Sequence, residues 1–408
     1  SYHDALPISR VAALSECQYC DPSVSTSTWT LRPSFVLGAD GVSCVVQYVL
    51  AGYSPPSSIE SHARMDLDTK EMREFAEAGD FDGARFVYEN GGNGRCSATD
   101  IQTTDSTDSC FGKTTADARG NSVSGSGSVR TLFTFARSGP TKMLDHTWYP
   151  IYRDYWGDDY YADTFIQNAL SSSRSNVMRA VLANKGAAYQ AMWMYMIHEC
   201  EDALQECDAG NTHVADTSTS APHRWDEFWA FYSGSLEGID GSGDGELLWA
   251  LAELRCAEFG TCEDGAALAN VRALELAQSG LENILNANCD GARVDFDAIV
   301  KVATVPLIQS MLKYAYHAAV DGDDASRANA WAFAAAVLPQ LDRCSDVVAR
   351  LVVDTLDVDA AAPMSDGIET VKSQVELTYS CLGISCAAVG AYEGYMEAFA
   401  DNPPRWTV

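Results

Sequence analysis

The chain has 408 residues, more than one compact core usually holds, so two globular units behind an N-terminal appendage are the default expectation. With 27 Lys+Arg against 57 Asp+Glu the net charge is −30, which argues against nucleic acid and anionic membranes as partners. A hydrophobic content of 47% with nine Trp and eighteen Tyr excludes a disordered acidic chain, and no apolar run approaches the ~20 residues a bilayer span needs.

Ser1–Ser9 (SYHDALPIS) reads as a non-native, adapter-like stretch, so a natural secretion signal is expected upstream of it. The thirteen cysteines are scattered from Cys17 to Cys386, and only Cys17–Cys20 has the C-x-x-C spacing, with no second copy to complete a zinc site. Dispersed cysteines in a polar chain fit an oxidising, extracytoplasmic compartment, and their odd number leaves one thiol over. Cys200 and Cys207 lie two helical turns apart and cannot bridge within one helix.

Residues 10–60 read as a partial β-rich module. TWTLRPSFVLG and GVSCVVQYVLAGYS, between Thr28 and Ser54, are β-branched and aromatic runs that predict two or three strands. Residues 61–400 read as the helical domain. Lys70–Ala78 and Phe81–Tyr88 are short amphipathic helices, and Ile101–Ser128 is a long polar loop. Beyond Ala162, three- and four-residue apolar spacing predicts helices over Ser175–Cys207, Trp225–Glu237, Glu246–Phe259, Ala266–Leu285, Asp295–Ala319, Ala325–Gln340, Asp346–Leu356, Ile368–Tyr379 and Val389–Ala398. The fold class is therefore mainly α: two packed antiparallel helical bundles, preceded by a short β-rich, cysteine-bearing segment. Met192-x-x-Tyr195-x-x-His198-x-x-x-Asp202 recurs as Met311-x-x-Tyr314-x-x-His317-x-x-x-Asp321, which points to an internal duplication over about 162–262 and 266–386.

The sharpest local signal is Tyr195-Met-Ile-His198-Glu-Cys-Glu201-Asp202. On a helix Tyr195, His198, Glu201 and Asp202 share one face, so a phenol, an imidazole and two carboxylates line one stripe, as a metal inside a bundle requires. The competing reading is a helix end where acids leave the core and His198 is a satisfied core residue. The stripe is not a zinc-protease helix, because H-E-x-x-H would need a second His where Asp202 stands. In Trp225–Gly238, Asp226 and Glu237 fall on one face with Tyr232 beside it, and Gly234 implies close backbone approach. Tyr155, Asp158 and Tyr160 form a weaker third group, and Asp163 is a capping candidate. Asp240-Gly-Ser-Gly-Asp-Gly opens like a calcium loop but has Leu251 at its twelfth position, so the bidentate ligand is absent.

YWGDDYYAD (155–163), KGAAYQAMWMYMIHECEDA (185–203), WDEFWAFYSGSLEG (225–238), LLWALAELRCAEFGTC (247–262), VPLIQSMLKYAYHA (305–318) and WAFAAAVLP (331–339) together resemble the algal Fe-assimilation proteins, also called phytotransferrins or iron-starvation-induced proteins. The likeness runs in order from about Met65 to Cys386. It implies a secreted or surface-anchored protein that captures Fe³⁺ with carbonate or bicarbonate as synergistic anion. The imelysin and bacterial iron-lipoprotein bundles are similar at the H-x-x-E pair His198 and Glu201, so an imelysin-like arrangement is one form the fold could take.

Ligands follow from chemistry: Fe³⁺ is hard and favours oxygen donors. Expected metal ligands are His198, Glu201, Asp202, Asp226 and Glu237, with Tyr195, Tyr232, Tyr314 and Tyr316 as phenolate candidates. Lys185, Arg179 and Arg255 are the expected anion-binding residues. Protonation of His198 or carbonate near pH 5–6 is expected to loosen the site. No enzymatic activity is expected. The expected partners are the ferric ion and its anion, with a membrane-bound reductase or endocytic receptor downstream. The rival readings are a divalent-metal hydrolase or CO₂-hydrating enzyme, set back by the lack of a second strong His donor near in sequence, and a metal-free cell-surface structural protein. Phenolate ligation predicts a salmon-coloured charge-transfer band when Fe³⁺ and bicarbonate are added; an uncoloured protein in an absorbance titration would count against phenolate ligands.

Overall fold

The computed structural model describes residues 48–94, 130–360, 363–364 and 367–392, together with the backbone of short strands at 18–19, 30–31, 35–37, 44–46, 114–116 and 122–124. The architecture is mainly helical. Strands occur only as two-stranded antiparallel pairs among the described residues: Gln18–Tyr19 with Thr30–Leu31, Phe35–Leu37 with Cys44–Val46, Thr114–Ala116 with Ser122–Ser124, and Cys262–Glu263 with Ala266–Ala267. The predicted helix over Val389–Ala398 lies largely outside the described residues, which show a single turn at Cys386–Val389.

The first half of the helical domain comprises α1 (Glu60–Ala63), α2 (Met65–Glu77), α3 (Phe81–Asn90), α4 (Leu132–Ala136), α5 (Gly139–Lys142), α6 (Trp148–Trp156), α7 (Tyr161–Ser171) and α8 (Asn176–Gly186). A π-turn at Ala187–Ala191 joins α8 to α9 (Met192–Asp208), so the helix expected over Ser175–Cys207 is one rod with a π-bulge in it. Ser175 starts this rod as N-cap, its Oγ accepting from the Met178 N–H. α10 (Ala221–Ser233) follows and packs along α9, as α7 packs on α8.

The helix expected to reach Glu237 stops at Ser233. Gly234 takes φ +83°, and a Cβ there would meet the Asp66 carboxylate at 2.6 Å, so glycine serves both the left-handed turn and the close approach. A single 3₁₀ turn then carries Ser235–Glu237.

The second half holds α11 (Leu248–Phe259), α12 (Leu268–Leu285), α13 (Cys289–Val320), α14 (Asp324–Cys344), α15 (Asp346–Leu356), α16 (Ile368–Glu376), α17 (Tyr379–Leu382) and α18 (Cys386–Val389). α13 lies between α12 and α14, and α14 also packs on α8, so one continuous apolar core joins the halves. Among the described residues, three disulfides pin helix ends. Cys207–Cys289 joins the end of α9 to the start of α13, Cys256–Cys262 closes the turn after α11, and Cys344–Cys381 ties α14 to α17. Removing Cys207–Cys289 by a double Cys→Ser replacement frees an 82-residue separation from its crosslink. It is expected to lower unfolding free energy by about 2–5 kcal/mol in denaturant titration, and an unchanged midpoint would contradict it.

Candidate metal centre

Every residue from Gly186 to Glu201 is buried. A helix buried on all sides must satisfy its polar groups inside the protein, so His198 (1% exposed), Glu199 (1%) and Glu201 (7%) need partners there. Some come from the turn between α5 and α6, which sets His146 beside α9. The His146 and His198 rings lie 5.0 Å apart, with Nδ1 to Nδ1 at 3.4 Å. His146 Nε2 is 3.1 Å and His198 Nδ1 3.5 Å from Asp202 Oδ1. An imidazole gives one nitrogen to an ion, and with one ligand atom taken from each of His146, His198 and Asp202 these atoms lie within 4.8 Å of one another, near enough to converge on a single ion after small side-chain adjustments. Glu201 Oε1 accepts from the Thr147 N–H at 2.7 Å, while Oε2 lies 3.7 Å from His146 Nδ1.

Three buried atoms here have no hydrogen-bond partner: His146 Nε2, His198 Nε2 and Glu201 Oε2. The 3.1 Å approach of His146 Nε2 to Asp202 is thus a convergence of two ligand atoms without hydrogen-bond alignment. Burial, reinforced by the positive neighbours His146, Lys142 and Arg224, pushes the His198 pKa down to about 3. That corrects the expectation that His198 titrates near pH 5–6: it stays neutral there, with a lone pair available to a metal. For Asp202, burial alone would raise the pKa, but the close approach of the His146 and His198 imidazoles and the Arg224 guanidinium outweighs it and holds it below the ordinary carboxylate value. Among the described residues, His146, His198 and Asp202 form the group of potential ligands close enough to share an ion.

A second polar group adjoins the first through Arg224. This guanidinium contacts Asp202 Oδ2 at 3.5 Å, Glu199 Oε2 at 2.8 Å and Glu227 Oε2 at 3.0 Å. Glu227 Oε1 also receives His62 Nε2 at 2.8 Å and His223 Nε2 at 3.1 Å. Burial would raise Glu227, but His62 and His223 overcome it and hold it well below the ordinary carboxylate value, whereas burial and the Glu227 charge push Glu199 well above it. On the far side, His223 Nδ1 meets Ser57 Oγ at 2.9 Å.

The other predicted ligands do not join His198. Asp226 is occupied by Tyr53 Oη at 2.7 Å and by the Ser57 N–H and Oγ–H. The Tyr232 hydroxyl donates to Asn270 Oδ1 at 2.9 Å. Glu237 feels Asp66, Glu253 and Asp244, and the acids near His198 are not among its neighbours. Tyr314 stacks on Phe333, and Tyr316 lies against His317 and Tyr392. Tyr195 is adjacent, its ring 5.0 Å from that of His198, but its hydroxyl bonds Lys142 Nζ at 2.7 Å. Of the weaker group, Asp158 accepts from the Tyr160 N–H at 2.8 Å, the Tyr160 ring lies under the Arg137 guanidinium, and Tyr155 packs against Trp156. Asp163, the capping candidate, instead takes the Tyr88 hydroxyl and Arg137.

The expected anion residues also lie elsewhere. Arg179 donates to the Leu170 carbonyl and covers the Phe81 ring, Lys185 sits over Tyr189, and Arg255 pairs with Glu258. The cations flanking His198 are Lys142 and Arg224. His317, the repeat counterpart of His198, bonds Asp321 and Tyr392 at the end of α13.

The model of the Fea1 family, described as low iron-inducible periplasmic protein, matches residues 35–403. The chain belongs to this family. Its description places the family outside the cytoplasm and ties it to iron shortage, in line with the disulfides. No helix among the described residues is long and apolar enough to cross a membrane. No curated protein and no solved structure matches the chain.

His146 is the site residue that sequence reasoning missed. It stands 52 positions before His198 in a short turn without periodicity. Scarcity was the available signal: of seven His, four (62, 146, 198, 223) occupy these two adjoining groups.

Glu237, away from this centre, carries a pH signature. It is 1% exposed, and burial, with Asp66 adding to it, pushes its pKa up to about 8. A raised carboxyl pKa favours folding while the group stays protonated, so its contribution is complete below pH ~4.5 and lost as pH rises through about 8. Glu237→Gln is expected to flatten the decline in thermal midpoint between those values; an identical slope in wild type and variant would contradict this.

Proposed function

We propose that this chain is an extracytoplasmic iron-binding protein that holds Fe³⁺ as cargo at His146, His198, Asp202 and Glu201, with carbonate beside the ion against Lys142 and Arg224. The observation that carries this reading is the grouping of His146, His198 and Asp202, whose ligand atoms lie within 4.8 Å of one another, beside buried atoms of His146, His198 and Glu201 that have no hydrogen-bond partner. Leaving such atoms without partners costs about 1–3 kcal/mol each, and a bound cation would remove that cost. Two imidazoles with carboxylates are a donor set used for non-haem iron, and carbonate adds the hard oxygens that Fe³⁺ prefers. The family's link to iron shortage supports iron over other metals. The role is binding and transfer, with a membrane-bound reductase or endocytic receptor as the consumer.

A phenolate is no longer needed as a ligand, since Tyr195 is engaged by Lys142 and burial raises its pKa well above the ordinary phenol value. One rival gains from the same geometry. His146 supplies the second imidazole whose absence counted against a divalent-metal hydrolase or CO₂-hydrating enzyme, so zinc-loaded protein belongs in ester-hydrolysis and CO₂-hydration assays.

Metal-free protein titrated with Fe³⁺ from a weak chelate, with and without bicarbonate, is expected to take up one iron per chain without a strong salmon band. His146→Ala, His198→Ala and Asp202→Ala should each weaken uptake by at least about 100-fold. Lys142→Ala should abolish the bicarbonate effect, and Tyr232→Phe and Glu237→Gln should change nothing. Undiminished uptake in the His198 and Asp202 variants would overturn the assignment, and a strong band would place Tyr195 on the ion.

A further inference from the structure

A cavity of about 250 Å³ opens between α6, α13, α14 and α17, on the other side of the turn that carries His146. Trp148 forms one wall, and the Cys344–Cys381 disulfide another. Buried Gln340 lies at the base, fixed by the Tyr152 hydroxyl at 3.0 Å and the Thr304 hydroxyl at 3.1 Å. Arg343, Lys301 and Asp297 complete the lining.

The charges are arranged unusually for so acidic a chain. Asp297 and Lys301 are one turn apart on α13, the spacing of a helix ion pair, yet among the described residues neither forms an ion pair, and nor does Arg343. The Lys301 stem lies along Gly383, where a Cβ would come within 2.9 Å of its Cδ and Cε, so the glycine makes room for that course. Arg343 is set over the Trp148 ring at 5.6 Å. Two cations, one acid and an indole face thus line one concavity, the three charged residues being exposed to solvent.

We propose that this cavity binds a small hydroxy-carboxylic acid carrying at least two carboxylates. The planar Arg343 fork suits one carboxylate in bidentate fashion, and the Lys301 ammonium suits a second. Asp297 accepts the ligand's hydroxyl, and Trp148 covers its carbon chain. The presence of Asp297 disfavours a compact, fully charged oxyanion, which would have no donor to offer it.

The site is independent of iron and is tested without it. Calorimetry on the metal-stripped full chain would use citrate and malate as probes, with inorganic phosphate and sulfate for comparison. Citrate or malate is expected to bind and to quench tryptophan fluorescence. Arg343→Gln and Lys301→Gln, both at exposed positions, should each weaken binding at least tenfold while retaining the wild-type thermal midpoint and iron uptake. His198→Ala should lose iron but keep the carboxylate. No heat with either acid, equal binding of phosphate, or unchanged affinity in both cavity variants would overturn the proposal. So would loss of citrate binding in His198→Ala, which would locate the acid at the metal centre.

Discussion

Burial of α9 on every side as far as Glu201 is the constraint from which the candidate centre follows. A rod surrounded by protein cannot leave an imidazole and three acids to water, so each must be neutral, paired or ligating. The protein uses all three solutions within two turns. Burial and Glu227 push Glu199 well above the ordinary carboxylate value, Arg224 and the close imidazoles hold Asp202 and Glu227 below it, and His198 remains neutral. Around these residues, what pairing leaves over is one buried atom each on His146, His198 and Glu201.

Arg224 is the junction of this arrangement. It is mostly buried and touches three carboxylates on α9 and α10, so the two histidine groups are electrostatically one system. In a chain with 27 basic residues against 57 acidic ones, placing a guanidinium at that depth is a costly use of a scarce charge. It makes sense where acids must stay close together and still present oxygen towards a cation. The disulfides contribute from outside, Cys207–Cys289 holding the far end of α9 against α13.

The helices were legible wherever apolar spacing is long and regular. Asp346–Leu356 has the bounds that periodicity predicts, and Ser175 marks the start of the α8–α9 rod by cap chemistry. Periodicity ran past the end of α10, because the apolar pattern continues beyond Ser233 while the positive φ of Gly234 ends the helix. It also missed α6, because apolar helical spacing was followed only beyond Ala162. The site was legible along α9, where His198 and Asp202 share a face. Partners from other elements were not, because nothing in the spacing of Asp226 or Glu237 tells which helix each faces. Asp226 turns to Tyr53 and Ser57, Glu237 to Asp66, and the second imidazole comes from a turn.

The claim on which the account turns is that imidazole nitrogen from His146 and His198 sits on iron. X-ray absorption spectroscopy of the iron-loaded protein reads this directly through the outer-shell scattering that a rigid imidazole ring produces. The account predicts two such rings with oxygen ligands completing the shell, and their disappearance when His146 and His198 are both replaced by alanine. A first shell of oxygen alone, identical in wild type and the double variant, would contradict it.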